Sequence, residues 1–585
     1  MRNQRNISAL WGYLIIEELI RLGVKHFIIS PGSRSTPLVI AAAENPKAEV
    51  TICYDERSAG FHALGIAKGS ESPACVITTS GTAVANLTPA VVESSVNHIP
   101  MIILSADRPP ELRSTGANQS IDQIHLFGNY LRWQFDFPVP DDTIPARMVL
   151  TTMDQAFAKA VEDGGPVQVN CMYRKPLEPV EIPWDKSCLN GLDNWEDSNV
   201  SFTNYTVSRR NWVNGKLDKW IKSAKYGLII VGSLKSGKDR EAVVELSQLL
   251  EWPIYCDVIS GLCMLYEKNH LHCLDHMLVH SEIGELLAPD IILQFGGRIT
   301  SKRILQFIDQ CKLNSYLLVD NNFDRLDPSH RITHRINMSP ANWVEQFKSA
   351  TITANRHENL DSLIELNNLT EKTISSEINL NDNLSEPLVA QVITKVIPDN
   401  HALFVSNSMP VRDVDMFSVK RDGPIVTTGN RGASGIDGII SSAAGFCKGS
   451  GKQTTLLMGD LAFIHDLNSL FLLKELDLPM VIVIVNNGGG GIFHFLPISN
   501  HENVFSPFFD TPHNFSFVKI VKSFRIESKR VQSCDDFESV YSSAVKSKKL
   551  TVIEVLTEKE ENFILHEKIK STVRKTIENS LSELV

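Results

Sequence analysis

The sequence predicts an α/β protein with three doubly wound parallel-sheet domains, because short apolar runs alternate with helix-length stretches along almost the whole chain. These runs fall into three blocks, and polar stretches at about 185–210 and 352–386 separate the blocks. Neither stretch has the apolar pattern of a strand, so we expect both to be linkers. The predicted domains are therefore residues 1–185, 205–350 and 385–585.

The candidate strands are short and rich in Val, Ile and Leu, as in parallel sheets that helices cover on both faces. In the first block they lie at 26–30, 50–55, 74–79, 101–106 and 167–171. In the second block they lie at 227–231, 253–258, 290–295 and 316–320. In the third block they lie at 402–406, 424–428, 454–458, 480–485 and 550–555. The first and third blocks thus have similar strand counts and spacing.

Composition excludes several classes of protein. The 585 residues are 43% hydrophobic and carry 57 Lys and Arg against 68 Asp and Glu, a net charge of −11. This balance argues against disorder and against general nucleic-acid binding, which needs a clustered basic surface. Ten cysteines without a CxxC pair favour a reducing compartment. The apolar runs are far shorter than the ~18–20 residues of a membrane span, so we expect a cytoplasmic protein.

Polar, charged or glycine-rich segments follow nearly every candidate strand of the first and third blocks. Ligands of open α/β sheets bind at the carboxyl ends of the strands, so we expect the functional site to be built from these segments. In the first block they are 30–37 (SPGSRSTP), 55–57 (DER), 80–82 (SGT) and 107–110 (DRPP). In the third block they are 407–412 (NSMPVR), 429–432 (GNRG), 459–460 (GD) and 486–491 (NNGGGG).

The strongest single signal is the pair Gly459-Asp460, which 25 intervening residues separate from Asn486-Asn487. Asp460 ends one strand and Asn487 ends the next, so a helical crossover returns both to one edge of the sheet. A carboxylate, an amide oxygen and the backbone carbonyl of Gly489 form half of the oxygen shell that Mg²⁺ needs. The glycines after Asn487 let the backbone approach a diphosphate closely. The pattern predicts a metal site at Asp460, Asn487 and Gly489.

This spacing resembles the cofactor motif of thiamin diphosphate enzymes of the pyruvate decarboxylase and acetolactate synthase type. Further segments make the chain similar to the MenD family of menaquinone biosynthesis in particular. Leu461 stands where the wider superfamily has the second glycine of Gly-Asp-Gly. A Gly-Asp-Leu sequence is typical of the MenD family. The resemblance covers the first and third blocks and is weak in the middle. Its segments are 30–38 (SPGSRSTPL), 79–87 (TSGTAVANL), 106–113 (ADRPPELR), 116–123 (GANQSIDQ), 429–438 (GNRGASGIDG) and 459–470 (GDLAFIHDLNSL).

The resemblance implies a fold, a cofactor and a reaction. The fold would be the pyruvate decarboxylase-like architecture, with pyrimidine-binding, central nucleotide-binding-like and diphosphate-binding domains in that order. The cofactor would be thiamin diphosphate with Mg²⁺, for which Mn²⁺ could substitute. The reaction would be decarboxylation of 2-oxoglutarate and 1,4-addition of the resulting carbanion to isochorismate. The products would be 2-succinyl-5-enolpyruvyl-6-hydroxy-3-cyclohexene-1-carboxylate (SEPHCHC) and CO2. A homodimer or homotetramer would follow, since one cofactor meets domains of two subunits in such enzymes.

Individual residues take roles from the resemblance. Glu56 would hydrogen-bond the cofactor's pyrimidine ring from a partly buried, apolar setting that raises its pKa, and Gln119 would hydrogen-bond intermediates. The residues implied to contact the cofactor are Glu56, Ser80, Gly81, Ile436, Gly459, Asn487, Gly489, Ile492 and Phe493. The residues implied to bind the dianionic substrates are Ser33, Arg34, Arg108, Asn118, Gln119, Lys302, Arg303, Ser408, Arg412 and Arg431.

Two alternatives stay open at this point. The first is another 2-oxo acid decarboxylase or an acetolactate synthase-like carboligase, which would share the cofactor but not the isochorismate pocket. The second is a nucleotide-binding protein, because segment 232–238 (GSLKSGK) nearly spells a P-loop. Asp239 follows that segment at the position where Mg²⁺ coordination needs Ser or Thr, which argues against nucleotide hydrolysis.

Overall fold

The computed structural model describes residues 1–206, 221, 224–349, 355–381 and 383–584. It contains one six-stranded, one five-stranded and a second six-stranded sheet, all with parallel strand pairing and helices between the strands. The predicted fold class is confirmed. Among the described residues, no helix is long and apolar enough to cross a membrane.

The first sheet and its helices lie before residue 207. In chain order the elements are α1 (Ile7–Arg21), β1 (His26–Ile29), α2 (Thr36–Glu44), β2 (Glu49–Ile52), α3 (Glu56–Ser70), β3 (Ala74–Thr78), α4 (Thr82–Ala85), α5 (Thr88–Val96), β4 (Met101–Asp107), β5 (Trp133–Phe137), α6 (Arg147–Glu162), β6 (Pro166–Met172) and α7 (Asp193–Glu196).

The second sheet and the helices that follow it lie between residues 224 and 379. They are β7 (Gly227–Val231), α8 (Gly237–Leu250), β8 (Ile254–Cys256), α9 (Leu274–Met277), α10 (Ser281–Leu287), β9 (Ile291–Phe295), α11 (Lys302–Gln310), β10 (Ser315–Asp320), β11 (His334–Asn337), α12 (Pro340–Ser349) and α13 (Leu360–Asn379).

The third sheet occupies the remainder of the chain. Its elements are α14 (Glu386–Val396), β12 (Ala402–Val405), α15 (Met409–Phe417), β13 (Val426–Thr428), α16 (Ile439–Ser450), β14 (Thr454–Gly459), α17 (Asp460–His465), β15 (Met480–Asn486), α18 (Glu502–Phe505), α19 (Phe517–Ser523), β16 (Glu527–Val531), α20 (Cys534–Lys546), β17 (Thr551–Leu556) and α21 (Lys559–Leu584).

The first and third sheets have the same strand order. It is β2-β1-β3-β4-β6-β5 in the first sheet and β13-β12-β14-β15-β17-β16 in the third. In each sheet the direction in which successive strands are added reverses, between β1 and β3 in the first sheet and between β12 and β14 in the third. The loops that leave such a pair of strands diverge and open a crevice. The predicted cofactor and substrate segments after β1, β3, β12 and β14 therefore leave their sheets at these two crevices.

The central strands are apolar throughout because both of their faces are buried. In β1, Phe27 and Ile29 contribute to one core and Ile28 to another, on the opposite side of the sheet. Every residue of β4 and β6 is buried. This two-sided burial explains why the strands read as continuous apolar runs in the sequence.

The chain divides into two compact units that do not follow the order of the sequence. The first unit comprises residues 1–209, 430–452 and 462–480, and the second comprises 210–429, 453–461 and 481–585. Within the first unit, α3 packs against α16 so closely that their backbones touch. A Cβ atom at Gly65 would lie 2.0 Å from the carbonyl oxygen of Ser442, and one at Gly445 would lie 2.1 Å from that of His62.

Neither predicted linker is simply an extended connection. Residues 360–379 of the second form α13, which buries Leu363 and Leu366, so the linker prediction is wrong there. Its apolar residues recur three and four apart, as in a half-buried helix, but the many Asn, Glu and Ser residues between them give the stretch the composition of a linker. Residues 207–210, 352–354 and 382 of the two predicted linkers lie outside the described part of the chain.

The first linker is docked on α1 and α6 by two buried carboxyl groups. Glu18 accepts hydrogen bonds from Nε1 of Trp195 at 2.6 Å and from the backbone N–H of Phe202 at 2.5 Å. Asp154 accepts one from the N–H of Thr203 at 2.8 Å. Burial, together with the neighbouring Glu18, raises the pKa of Asp154 to about 8. At neutral pH the native protein therefore holds a proton on Asp154 that the unfolded chain releases.

This proton makes stability depend on pH. Between about pH 4 and pH 8 the native state binds more protons at Asp154 than the unfolded state, so its contribution to the unfolding free energy falls as pH rises. Asp154→Asn keeps an oxygen for the N–H of Thr203 and removes the titrating group. We expect its melting temperature, relative to the native chain, to rise steadily from pH 5 to pH 8. Melting curves that shift in parallel for both proteins would contradict this assignment.

Candidate active site

The turn after β3 is joined to the segment that follows β4 by reciprocal hydrogen bonds. The hydroxyl of buried Ser80 donates to the carbonyl oxygen of Gln119 at 2.9 Å, and Nε2 of Gln119 donates to the carbonyl oxygen of Ser80 at 2.8 Å. The N–H of Gly81 donates to Oε1 of Gln123 at 2.8 Å. Gly81 has φ +87°, and a Cβ atom there would lie 2.8 Å from Cγ of Gln119. The structure therefore brings Ser80, Gly81 and Gln119 together.

Two cations, Arg34 and Arg108, lie near these turns, and the Asp107 carboxylate is a nearby negative charge. Arg34 is 4% exposed, and its Nη1 donates to the carbonyl oxygen of Tyr173 at 2.7 Å. Its Nε is buried and makes no hydrogen bond within the described residues. Burial lowers the pKa of Arg34, and the positive charge of Arg108 lowers it further. A buried guanidinium donor without an acceptor, beside a second cation, fits a carboxylate ligand.

The other residues expected near this pair are placed as follows. Nε and Nη2 of Arg108 donate to the carbonyl oxygen of Asn118 at 3.1 and 2.8 Å, so Arg108 and Asn118 lie together. Ser33 is exposed and begins the short 3₁₀ turn Ser33–Ser35 that also carries Arg34. In the first unit, Ser33 and Arg34 therefore follow the carboxyl end of β1, and Arg108 and Asn118 follow that of β4.

Glu56 is the first residue of α3 and its side chain is partly buried. The preceding Asp55 caps the helix, since its carboxylate accepts from the N–H groups of Arg57 at 2.9 Å and Ser58 at 3.4 Å. The cap fixes the start of α3 and therefore the position of Glu56. The carboxyl group of Glu56 makes no hydrogen bond to the described residues of the chain.

The GNRG loop, residues 429–432, is anchored on both sides of Arg431. Glu93 of α5 is 2% exposed, and its two carboxylate oxygens accept from the N–H groups of Gly432 at 2.8 Å and Ala433 at 2.6 Å. On the other side, Nζ of Lys68 donates to Oδ1 of Asn430 at 3.1 Å. Burial lowers the pKa of Lys68 to about 8, against the opposing charge of Glu93. The Arg431 backbone is therefore fixed.

The Gly-Asp and Asn-Asn segments meet in the second unit, at the carboxyl ends of β14 and β15. Asp460 is 3% exposed, and its Oδ2 accepts from the N–H of Gly489 at 3.0 Å and lies 3.1 Å from Nε2 of His513. Burial raises the pKa of Asp460, although His513 opposes this shift. Gly489 has φ +153°, and a Cβ atom there would lie 2.2 Å from the carbonyl oxygen of Asp510. Only glycine fits this position.

The residues at this edge fit a bound divalent cation. Oδ1 of Asn487 is buried and has no hydrogen-bond partner in the described chain, so this oxygen is available to a ligand. The carboxylate of Asp460 is desolvated, and a cation would compensate its charge. Among the described residues, the carbonyl oxygen of Gly489 accepts only a 3.1 Å hydrogen bond from the N–H of Gly491. Oxygen ligands of these three kinds are those that Mg²⁺ prefers.

The loop that follows Asn487 is held by Asp510. Its carbonyl oxygen accepts from the N–H of Gly490 at 2.7 Å, and its carboxylate binds Nζ of Lys559 at 2.6 and 2.7 Å. Phe493 packs edge-on against Phe509, with ring centroids 5.5 Å apart. Ile492 and Phe493 are both partly exposed on this fixed loop, and Gly459 immediately precedes Asp460.

Arg412, Arg303 and Lys302 are also expected to bind substrate, and they differ in burial and in their hydrogen-bond or ion-pair partners. Arg412, in α15, donates from Nη1 to the carbonyl oxygen of Ser408, which precedes that helix with φ +71°. Arg303 forms an ion pair with Asp275, so its guanidinium already has a carboxylate partner. Lys302 is exposed at the start of α11. Ile436, in the first unit, is partly exposed after the anchored GNRG loop.

Comparison with known families covers most of the chain. The N-terminal TPP binding domain of thiamine pyrophosphate enzymes matches residues 11–126, their middle domain matches 186–405, and their C-terminal TPP binding domain matches 414–555. The 2-succinyl-5-enolpyruvyl-6-hydroxy-3-cyclohexene-1-carboxylate synthase of Chlorobium phaeobacteroides is 39% identical over 99% of this chain and 100% of its own length. The chain belongs to this synthase family.

Two further relatives support the assignment of the chain to the synthase family. The synthase of Salinibacter ruber is 39% identical over 98% of both chains. The chloroplastic protein PHYLLO of Arabidopsis thaliana is 38% identical over 99% of this chain, which spans 36% of that larger protein. Membership of the synthase family confirms the family-level resemblance of the motifs, including the middle block, where sequence motifs alone were weak.

The P-loop-like segment has a structural role in this member of the synthase family. Ser236 caps α8 by accepting from the N–H of Asp239 at 3.1 Å, and its hydroxyl donates to the Asp239 carboxylate at 2.8 Å. The other oxygen of Asp239 accepts from the N–H of Ala341 at 2.9 Å. Asp239 is 3% exposed and joins α8 to α12, so the nucleotide-binding alternative is not favoured.

Sequence reasoning missed three polar residues around these sites: Glu93, which anchors the GNRG loop, His513, which contacts Asp460, and Glu386, whose Oε1 accepts from Nδ2 of Asn487 at 2.8 Å. Each lies far along the chain from the residue that it contacts, and none belongs to a motif. The one available signal was a glutamate at the start of an otherwise apolar helix, Glu386 after Ser385 in α14.

Proposed function

We propose that this chain catalyses thiamin diphosphate-dependent decarboxylation of 2-oxoglutarate and addition of the resulting four-carbon unit to isochorismate, giving SEPHCHC and CO2. The observation that carries the proposal is the 39% identity, over nearly the whole length of both chains, to proteins named as synthases of that product. This reaction belongs to menaquinone biosynthesis.

Glu56, Asp460 and Asn487 would hold the cofactor. Asp460, Asn487 and the carbonyl oxygen of Gly489 are proposed to bind Mg²⁺, with Mn²⁺ as a possible substitute, and through it the diphosphate. Glu56 is proposed to hydrogen-bond the pyrimidine ring and to share a proton with it. When bound, thiamin diphosphate supplies the electron sink that makes loss of CO2 feasible.

The arginines would bind the substrate carboxylates. Nε of Arg34 is buried without an acceptor in the part of the chain that the structure describes, and Arg108 lies near it, which supports a carboxylate at this place. Arg412 and Arg431 would bind further carboxylates. The other polar residues proposed to contact the substrates are Ser33, Asn118, Gln119, Lys302 and Ser408. Arg303 contributes less directly in this proposal, because Asp275 already neutralises its charge.

We also propose a cytoplasmic homodimer or homotetramer. The resemblance supports the oligomer, since enzymes of this type complete their cofactor site with a second subunit. Sedimentation of the holoenzyme would test it, and a monomer with full activity would contradict it.

The function is tested by measuring consumption of 2-oxoglutarate with and without isochorismate. We expect rapid consumption only when isochorismate, thiamin diphosphate and Mg²⁺ are all present, with equimolar CO2 and SEPHCHC. Equal turnover of pyruvate without any use of isochorismate would instead support an acetolactate synthase-like carboligase.

Glu93 offers a separate prediction about substrate binding. Glu93→Gln replaces one of the two oxygens that accept from Gly432 and Ala433 with an NH₂ group, which would loosen the backbone around Arg431. We expect KM for the substrate whose carboxylate Arg431 binds to rise about tenfold, roughly 1.4 kcal/mol, with unchanged thiamin diphosphate affinity. Steady-state kinetics with each substrate varied in turn would measure this. Glu162→Gln, at an exposed position in α6, is the matched control.

A further inference from the structure

The side-chain amide of Asn487 has two chemically different ends, and the structure distinguishes them. Nδ2 donates to Oε1 of Glu386 at 2.8 Å, whereas Oδ1 is buried and has no hydrogen-bond partner in the described part of the chain. An amide rotated by 180° would present an NH₂ group in place of this oxygen, and an NH₂ group cannot bind a cation. The usefulness of Asn487 as a metal ligand therefore depends on what fixes the direction of its amide.

Glu386 is well placed to fix that direction. It is the first residue of α14, is 3% exposed, and follows Ser385, whose hydroxyl accepts from the N–H of Leu388 at 3.4 Å and caps the helix. Its position is therefore set by the start of a helix and not by a mobile loop.

Two further side chains lie close to Glu386. The carboxyl group of Asp413, in α15, interacts with that of Glu386 and is 2% exposed. Nε2 of His566, in α21, lies 3.5 Å from Oδ1 of Asp413. One carboxyl oxygen of Glu386 is thus directed to Asn487 while the group also faces Asp413. Side chains from three different helices converge behind one amide.

We propose that Glu386 is a positioning residue of the metal site, which orients the Asn487 amide so that Oδ1 faces the cation, and that the Asp413 carboxyl group supports Glu386 in this orientation. The inference rests on the proposed function, because it assumes that Asn487 is a metal ligand. Glu386 does not bind the metal in this scheme. Partners of metal ligands typically change metal affinity 10- to 100-fold when they are removed.

Replacement of Glu386 by methionine and by glutamine tests the proposal. Glu386→Met keeps the volume but removes the acceptor, so the Asn487 amide is free to rotate. We expect the Mg²⁺ concentration for half-saturation, measured by calorimetry at saturating thiamin diphosphate, to rise about 10- to 100-fold. Glu386→Gln keeps a carbonyl oxygen for Asn487 and places a donor toward Asp413, so we expect affinity within about threefold of the native chain.

A double-mutant cycle separates positioning from a general effect on packing. If Glu386 acts through Asn487, Glu386→Met should have no further effect on Mg²⁺ affinity in an Asn487→Ser background. An equal loss in both backgrounds, or native affinity in Glu386→Met, would overturn the proposal. If the methionine variant does not fold, Glu386→Asp, which is one methylene too short to reach Asn487, replaces it with the same two expectations. Failure of the native chain itself to bind Mg²⁺ with thiamin diphosphate would instead refute the proposed function.

Discussion

Glu56→Gln is expected to lower kcat by about 10²- to 10⁴-fold, the range typical for loss of a group that shares a proton in catalysis. The substitution keeps the size of the side chain and a hydrogen-bonding group at the start of α3, but a glutamine cannot release a proton. Because Asp55, and not Glu56, caps the helix, the fold should be unaffected. Thiamin diphosphate affinity, measured by calorimetry, should stay within about threefold of the native value.

The matched control is Glu44→Gln, the same chemical change at an exposed position at the end of α2. It should retain native kinetics. Near-native turnover in Glu56→Gln would remove Glu56 from its proposed role, and loss of cofactor binding in that variant would show that it acts as a contact and not as a proton-sharing group.

Asp460→Ala is expected to raise the Mg²⁺ and thiamin diphosphate concentrations for half-maximal activity by at least about 100-fold, since it removes a charged metal ligand. At saturating cofactor, kcat should recover much of its native value, which distinguishes this variant from Glu56→Gln. Titration of activity with Mg²⁺ at several fixed thiamin diphosphate concentrations would measure both quantities.

An exposed aspartate serves as the control for this variant. Asp477→Ala, in the segment before β15, should leave the cofactor requirement unchanged. Unchanged cofactor affinity in Asp460→Ala would argue against the proposed metal site at Asp460 and Asn487, whatever its effect on turnover.

The central strands of each sheet could be predicted from the sequence, but one edge strand of each sheet could not. The sequence missed β5, β11 and β16, and each of these lies at the edge of its sheet. In β16 only Val531 is fully buried, and in β5 only Phe137. An edge strand has one neighbour and much exposed surface, so it needs no continuous apolar run and leaves no such signal in the sequence.

The site shows a similar division. The placement of Asp460 beside the Asn487 loop, and of Ser80 and Gly81 at a strand end, could be predicted because each follows a strand closely and strand ends of a parallel sheet share one edge. Glu93 and Glu386 could not, because their partners lie 339 and 101 residues away. Spacing along the chain cannot reveal which glutamate of a helix meets which loop. Those contacts depend on how helices pack.

The glycine-lined contact between α3 and α16 also constrains how the molecule can be made. Residues 430–452 and 462–480 complete the first unit, so a nascent chain that has reached residue 206 still lacks the partner of α3. At 5–20 residues per second, roughly 10–50 s pass on the ribosome before α16 emerges. During that interval the face of α3 that α16 covers stays exposed, so we expect fragments that stop before residue 430 to aggregate more readily than the full chain.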